Sequence, residues 1–80
     1  MQIVKEETFT HNGKTYTIWL FETDNGYMAT GYEDDREVTH SHAVEYMKNI
    51  SLLRRFGTNY ASQLRDMVKN DIVKGWLPTQ

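Results

Sequence analysis

Residues 8–33 read TFTHNGKTYTIWLFETDNGYMATGYE. Two Asn-Gly pairs, Asn12-Gly13 and Asn25-Gly26, each lie between runs rich in Thr, Tyr, Ile, Phe and Trp. β-Branched and aromatic side chains suit a pleated surface, and Asn and Gly accept the positive φ that a type I′ hairpin turn demands. The pattern therefore predicts strands near residues 3–11, 14–23 and 27–33, joined as an antiparallel meander.

Side chains alternate across a strand, so two-residue turns sort these residues into two faces. Phe9, Tyr16, Ile18, Leu20, Ala29 and Gly31 share one; Val4, Trp19, Phe21, Met28 and Tyr32 share the other. The first set carries small residues on the third strand, which suits close approach by a helix, so it is expected to be the covered core. The second set then lies open, and an aromatic patch on an open sheet face marks a surface that a partner covers. Asp24 introduces an alternative. A three-residue turn with a bulge there would reverse the faces of the third strand.

Beyond the acidic segment Glu33-Asp34-Asp35-Arg36-Glu37 the period changes. Ala43, Met47, Ile50, Leu53 and Phe56 recur at three- and four-residue spacing, which predicts a helix capped by Thr39 or Ser41 and stopped by Gly57. Thr58 is expected to cap a second helix, with Tyr60, Leu64, Met67, Val68 and Ile72 as its apolar stripe. Trp76 extends that stripe if the last turn persists, and Gly75 and Pro78 end it. The expected fold is α+β: a three-stranded antiparallel meander followed by two helices packed on one face of the sheet. No repeat, linker or composition break divides residues 1–80, so one compact domain is expected.

Size and composition narrow the function. Eighty residues leave room for a single core, and a chain of this length hides only about 60% of the surface that it exposes when unfolded. With no cysteine, disulfides, thiolate catalysis and thiolate metal sites are excluded. The first ten residues are charged and lack an apolar segment, so no signal peptide is read there, and a cytoplasmic location is the expectation. Net charge is −2, but it is unevenly spread. Residues 1–42 hold eight acidic and three basic side chains, whereas residues 43–80 hold three acidic and six basic.

Two groupings carry residue types found in reactive sites. Thr39-His40-Ser41-His42 follows the carboxylates Asp34, Asp35 and Glu37, yet an H-x-H pair near a helix start is common without a metal, and none is expected. Ser41, His42 and Asp35 contain the types of a nucleophile, base and orienter. They are sequence neighbours and do not converge from separate elements, so no catalytic residue, no cofactor and no enzyme activity are expected. No motif matches a known family residue by residue.

The remaining features point to binding. Trp19, Phe21 and Tyr32 are residue types favoured at interface centres, with Asp34, Asp35 and Glu37 as an acidic rim that sets partner choice. The expected function is a small protein-interaction module, an adaptor, regulator or inhibitor, that meets a protein partner or a second copy of itself through this face. The alternative is a nucleic-acid-binding regulator using Arg54, Arg55, Arg65 and Lys69 on the helices. Against it, Arg54 and Arg55 sit where cations complement the helix dipole, and Arg65 and Lys69 read as ordinary solvated residues. No membrane partner is expected.

Overall fold

The computed structural model describes residues 2–75. Its fold is α+β, an antiparallel sheet followed by two helices that pack on it. Three long strands form the expected meander: β1 (Gln2–His11), β2 (Lys14–Glu22) and β3 (Gly26–Glu33). Two short strands, β4 (Arg36–Glu37) and β5 (His42–Glu45), then extend the sheet by pairing side by side along the free edge of β3. Helices α1 (Tyr46–Phe56) and α2 (Tyr60–Lys74) complete the described chain. The expected contributions of Trp76 and Pro78 fall outside the described residues.

The two hairpins differ in how they turn. Asn12 (φ 52°) and Gly13 (φ 76°) both take positive φ, and His11 pairs with Lys14, as a type I′ turn requires. The second loop lies one residue earlier than expected. Glu22 pairs with Tyr27, and the Thr23 amide donates to the Gly26 carbonyl oxygen at 2.8 Å, so Asp24 and Asn25 form the tip. The Thr23 hydroxyl accepts from the Asn25 and Gly26 amides and stabilises this turn without any positive φ. The loop still has two residues, so the faces of β3 fall as expected.

Gly26 has a packing role instead. A Cβ there would run into the Val44 carbonyl oxygen and the Glu45 Cα of β5, so only glycine lets β5 pair at this position.

The covered face is built from Tyr16, Ile18, Leu20 and Ala29, against which α2 lays Leu64, Val68 and Ile72. Ile18, Leu64 and Val68 are almost fully enclosed, and each such side chain stabilises the fold by about 1.5–3 kcal/mol. The approach is closest at Gly31. A Cβ at this position would lie 3.0 Å from Val68 Cγ1 and 3.2 Å from Ile72 Cδ1, so the small third strand seats the helix directly on the sheet. Phe9 stacks on Tyr16 at 5.7 Å between ring centroids and extends the cluster toward β1.

Two irregularities revise the strand reading. On β1 the register shifts between Ile3 and Lys5, so Ile3, and not Val4, stands opposite Phe21. A bulge leaves its extra residue unpaired, which takes Val4 out of the open-face set in which alternation alone places it. On the far edge, residues 38–41 bulge between β4 and β5, four residues standing against Thr30 and Gly31 of β3. Here a side chain completes the ladder. The Gly31 amide donates to Thr39 Oγ1 at 2.8 Å, and the Thr39 hydroxyl donates onward to the His40 carbonyl oxygen. Thr39 is therefore buried sheet architecture and does not cap a helix.

The first helix starts later than its periodicity suggests, because Ala43 lies in β5 and pairs with Met28. Its N-cap is Glu45, whose side chain makes no capping bond. α1 sits at the margin, against β5 and α2. Polar clips hold it: the Tyr46 hydroxyl donates to the Thr23 carbonyl oxygen at 3.1 Å, and Asn49 Oδ1 accepts from the Ala61 amide at 3.1 Å. Asn59, one residue after the expected Thr58, caps α2 by accepting from the same amide.

The Thr39 bond yields a direct test. Thr39→Val preserves shape but leaves the buried Gly31 amide without an acceptor, which costs about 1–3 kcal/mol. Urea unfolding should show that loss for valine and a smaller one, about 0.8 kcal/mol for the buried methyl, for Thr39→Ser; a valine variant as stable as wild type contradicts the assignment.

Candidate functional site

The face of the sheet opposite α2 carries Glu6 and Thr8 of β1, Thr17, Trp19 and Phe21 of β2, and Met28, Thr30 and Tyr32 of β3. No helix among the described residues packs on it. Its aromatic side chains form a continuous strip. The Trp19 ring lies 4.5 Å from Tyr32 in a tilted contact and 6.1 Å from Phe21 edge to face, distances at which aromatic quadrupoles attract. The structure thus brings Trp19, Phe21 and Tyr32 together as the strand alternation predicts.

Their exposure is graded. Trp19 and Tyr32 are half-buried, while Phe21 is only 9% exposed. Phe21 is the floor of the strip and its neighbours are the contact surface. Ile3, brought opposite Phe21 by the β1 bulge, is 46% exposed and adds apolar area that sequence alternation alone assigns elsewhere. The Trp19 indole N–H donates to Glu6 Oε2 at 2.9 Å, which fixes the ring and places a carboxylate beside it. Ser41 shares a 2.7 Å hydroxyl contact with Thr30, closing the strip on the β5 side.

The acidic rim follows Tyr32. Asp34, in the positive-φ position of the β3–β4 turn (φ 56°), Asp35 and Glu37 are all exposed. Glu33 is engaged at this turn by Lys14 at 3.9 Å and Arg36 at 4.0 Å. Glu37 stands opposite Tyr32 in the strand pair. Partial burial, and then the negative charge of Glu37, hold the Tyr32 phenol above its ordinary value.

The basic residues divide into two groups. Arg65 Nη1 and Lys69 Nζ reach the two oxygens of Glu7 on β1 at 3.5 and 3.3 Å, and Lys69 also lies 5.2 Å from the Phe9 ring centroid. They fasten α2 to the first strand, which corrects the reading of both as ordinary solvated residues. Arg54 and Arg55 stay exposed in the last turn of α1, with the Arg55 guanidinium 5.5 Å from the Phe56 ring centroid.

His42 is drawn away from the other groups that might have joined it. Its Nε2 lies 2.7 Å from Asp71 Oδ2, an ion pair when the imidazole is protonated, and this contact ties β5 to α2. Ser41 faces Thr30 and Asp35 stays in the β3–β4 turn, so Ser41, His42 and Asp35 are not assembled. Among the described residues no group of three or more His, Asp or Glu side chains is placed to hold a metal ion. No described helix is long and apolar enough to cross a membrane.

A second apolar surface escaped the sequence reading. α1 contributes no buried residue. Met47 is 76% exposed, Phe56 66%, Leu53 46% and Ile50 43%, and these are the residues whose spacing reads as a core-facing stripe. Periodicity reports that one face is apolar; it carries no information about what that face meets.

No protein-family model, curated protein or solved structure matches this chain.

The phenol of Tyr32 is testable by absorbance titration. Below pH 10 it is protonated in folded and unfolded chains alike; above that, the unfolded chain ionises first, so its contribution to stability falls as pH climbs through the raised folded value. Glu37→Gln should move the Tyr32 transition down toward 10.0, its ordinary value. An unmoved transition contradicts the Glu37 contribution.

Proposed function

We propose that this chain is a non-enzymatic protein-interaction module, acting stoichiometrically as an adaptor, regulator or inhibitor. The observation that carries the reading is the α1 stripe: four large apolar side chains on a helix that buries none of its residues. Leaving these side chains in water forgoes roughly 25 cal/mol for each Å² of apolar area, and an exposed apolar arc of this kind marks a contact site. The aromatic strip of Trp19 and Tyr32 over Phe21, with Asp34, Asp35 and Glu37 at one end, is the second contact surface. Affinity would come from covering apolar area, while rim charge would set partner choice and association rate.

The nucleic-acid alternative receives less support. Two of its four cations are held by Glu7, and the sheet's aromatic face carries carboxylates that repel phosphate. The catalytic alternative receives less support because, among the described residues, Ser41 and His42 turn to Thr30 and Asp71 and do not join Asp35.

Affinity retention followed by quantitative mass spectrometry tests the proposal. Immobilised wild type should hold a discrete protein, itself or another, in fixed ratio, and Met47→Ser/Phe56→Ser should lose it while unfolding at the same temperature. Retention of nothing in fixed ratio, with no self-association in solution, contradicts an interaction role.

A further inference from the structure

We infer that the α1 stripe of one copy docks on the open sheet face of a second copy, an assignment that rests on the interaction-module reading and names the partner. The two surfaces are complementary in charge. Every ionised side chain within α1 is basic, namely Lys48, Arg54 and Arg55. The open face is rimmed by Asp34, Asp35 and Glu37 and carries Glu6 beside Trp19. Like surfaces pair less well: face against face sets carboxylates against carboxylates, and α1 against α1 sets cations against cations except in an antiparallel pair, where only Glu45 would offset Arg54 and Arg55.

Their lengths also agree. Along the helix axis Met47 to Phe56 spans roughly 14 Å, with Ile50 and Leu53 about 60° apart at the centre of the exposed arc and Met47 and Phe56 on its opposite flanks. The strip between the Phe21–Met28 and Thr17–Tyr32 pairs spans roughly 13 Å along the strands. Phe56 with Arg54 and Arg55 would then lie at the Tyr32 end, next to Asp35 and Glu37, and Met47 at the end where Ile3 and Phe21 meet.

Within one chain the match cannot form. α1 packs against β5 and α2, and Tyr46 meets Tyr27 on the α2 side at 5.3 Å between ring centroids, so its stripe does not reach the open face of its own sheet. An anionic membrane surface is the competing occupant of a basic amphipathic helix. The net charge of −2 and the exposed acidic rim disfavour it, and it leaves the aromatic strip uncovered. Contact between unlike surfaces generates either a closed set of copies, the smallest being a reciprocal dimer in which each α1 covers the other copy's face, or an open chain.

Two variants test this without touching the core. Met47→Ser/Phe56→Ser blunts the helix and keeps the face; Asp35→Lys/Glu37→Lys reverses the rim and keeps the helix. In sedimentation across a concentration series, wild type should associate, more weakly as salt rises. Each variant alone should associate at least about tenfold more weakly than wild type. Mixed, they should form a one-to-one dimer and stop there, because only one competent helix and one competent face remain.

The rim variant dimerising alone overturns the inference in favour of α1 pairing with α1, and the helix variant dimerising alone overturns it in favour of face pairing with face. Monomeric wild type that co-sediments with anionic vesicles overturns it in favour of a lipid surface. Monomeric wild type that retains a foreign protein overturns the self-docking while leaving the interaction-module reading intact; if nothing is retained either, both fail.

Discussion

The closeness of α2 to β3 is the constraint from which the rest of this structure follows. Ala29 and Gly31 place almost no side chain between strand and helix, so Val68 and Ile72 rest against the backbone of the sheet. Leu64, Val68 and Ile72 then pack in one cluster with Ile18 and Leu20, and about two and a half turns of helix close much of the core. The same narrow strand requires compensation at its outer edge. Where the chain bulges across Gly31, Thr39 supplies from its hydroxyl the acceptor that a regular strand would have supplied from its backbone. That residue's methyl group lies 2.9 Å from where a Gly31 Cβ would sit, so hydrogen bonding and close packing are fixed by one side chain.

With the core closed by α2 alone, the remaining elements are attached by polar contacts. Glu7 links Arg65 and Lys69 to the first strand, His42 links β5 to Asp71, and Asn49 links α1 to the start of α2. Such contacts at a partly exposed surface contribute little net stability, about 0–1 kcal/mol for an ion pair, so they orient elements more than they hold the fold together. This division explains how a helix can keep its apolar stripe in water. α1 is positioned by Tyr46 and Asn49, and its large side chains stay exposed.

Much of this was legible in the residues. The strong hairpin chemistry of Asn12-Gly13, the alternation through Tyr16, Ile18 and Leu20, and the spacing of Leu64, Val68 and Ile72 specify the meander, the covered face and the second helix. What escaped depended on contacts distant in sequence. Gly26 was readable as a turn residue, yet it is small because β5 crosses it; Val4 fits the alternation until a bulge displaces it; Thr39 looks like a cap until the register of β3 is known. For the candidate site, the grouping of Trp19, Phe21 and Tyr32 followed from strand parity alone. The α1 spacing reads as a core-facing helix, because an apolar period is the same whether the face meets its own sheet or solvent.

The central claim is that α2 belongs to the cooperative core while α1 is clipped to its margin with the apolar stripe outward. Native-state amide hydrogen exchange on the dilute, unassociated protein measures this most directly. The account predicts that amides of Leu64 to Ile72 open only with global unfolding, whereas those of Ile50 to Phe56 exchange by local opening, at least about tenfold faster. Protection in α1 equal to that in α2 would mean that the stripe is packed within the monomer, and would contradict both the exposed helix and the docking built on it.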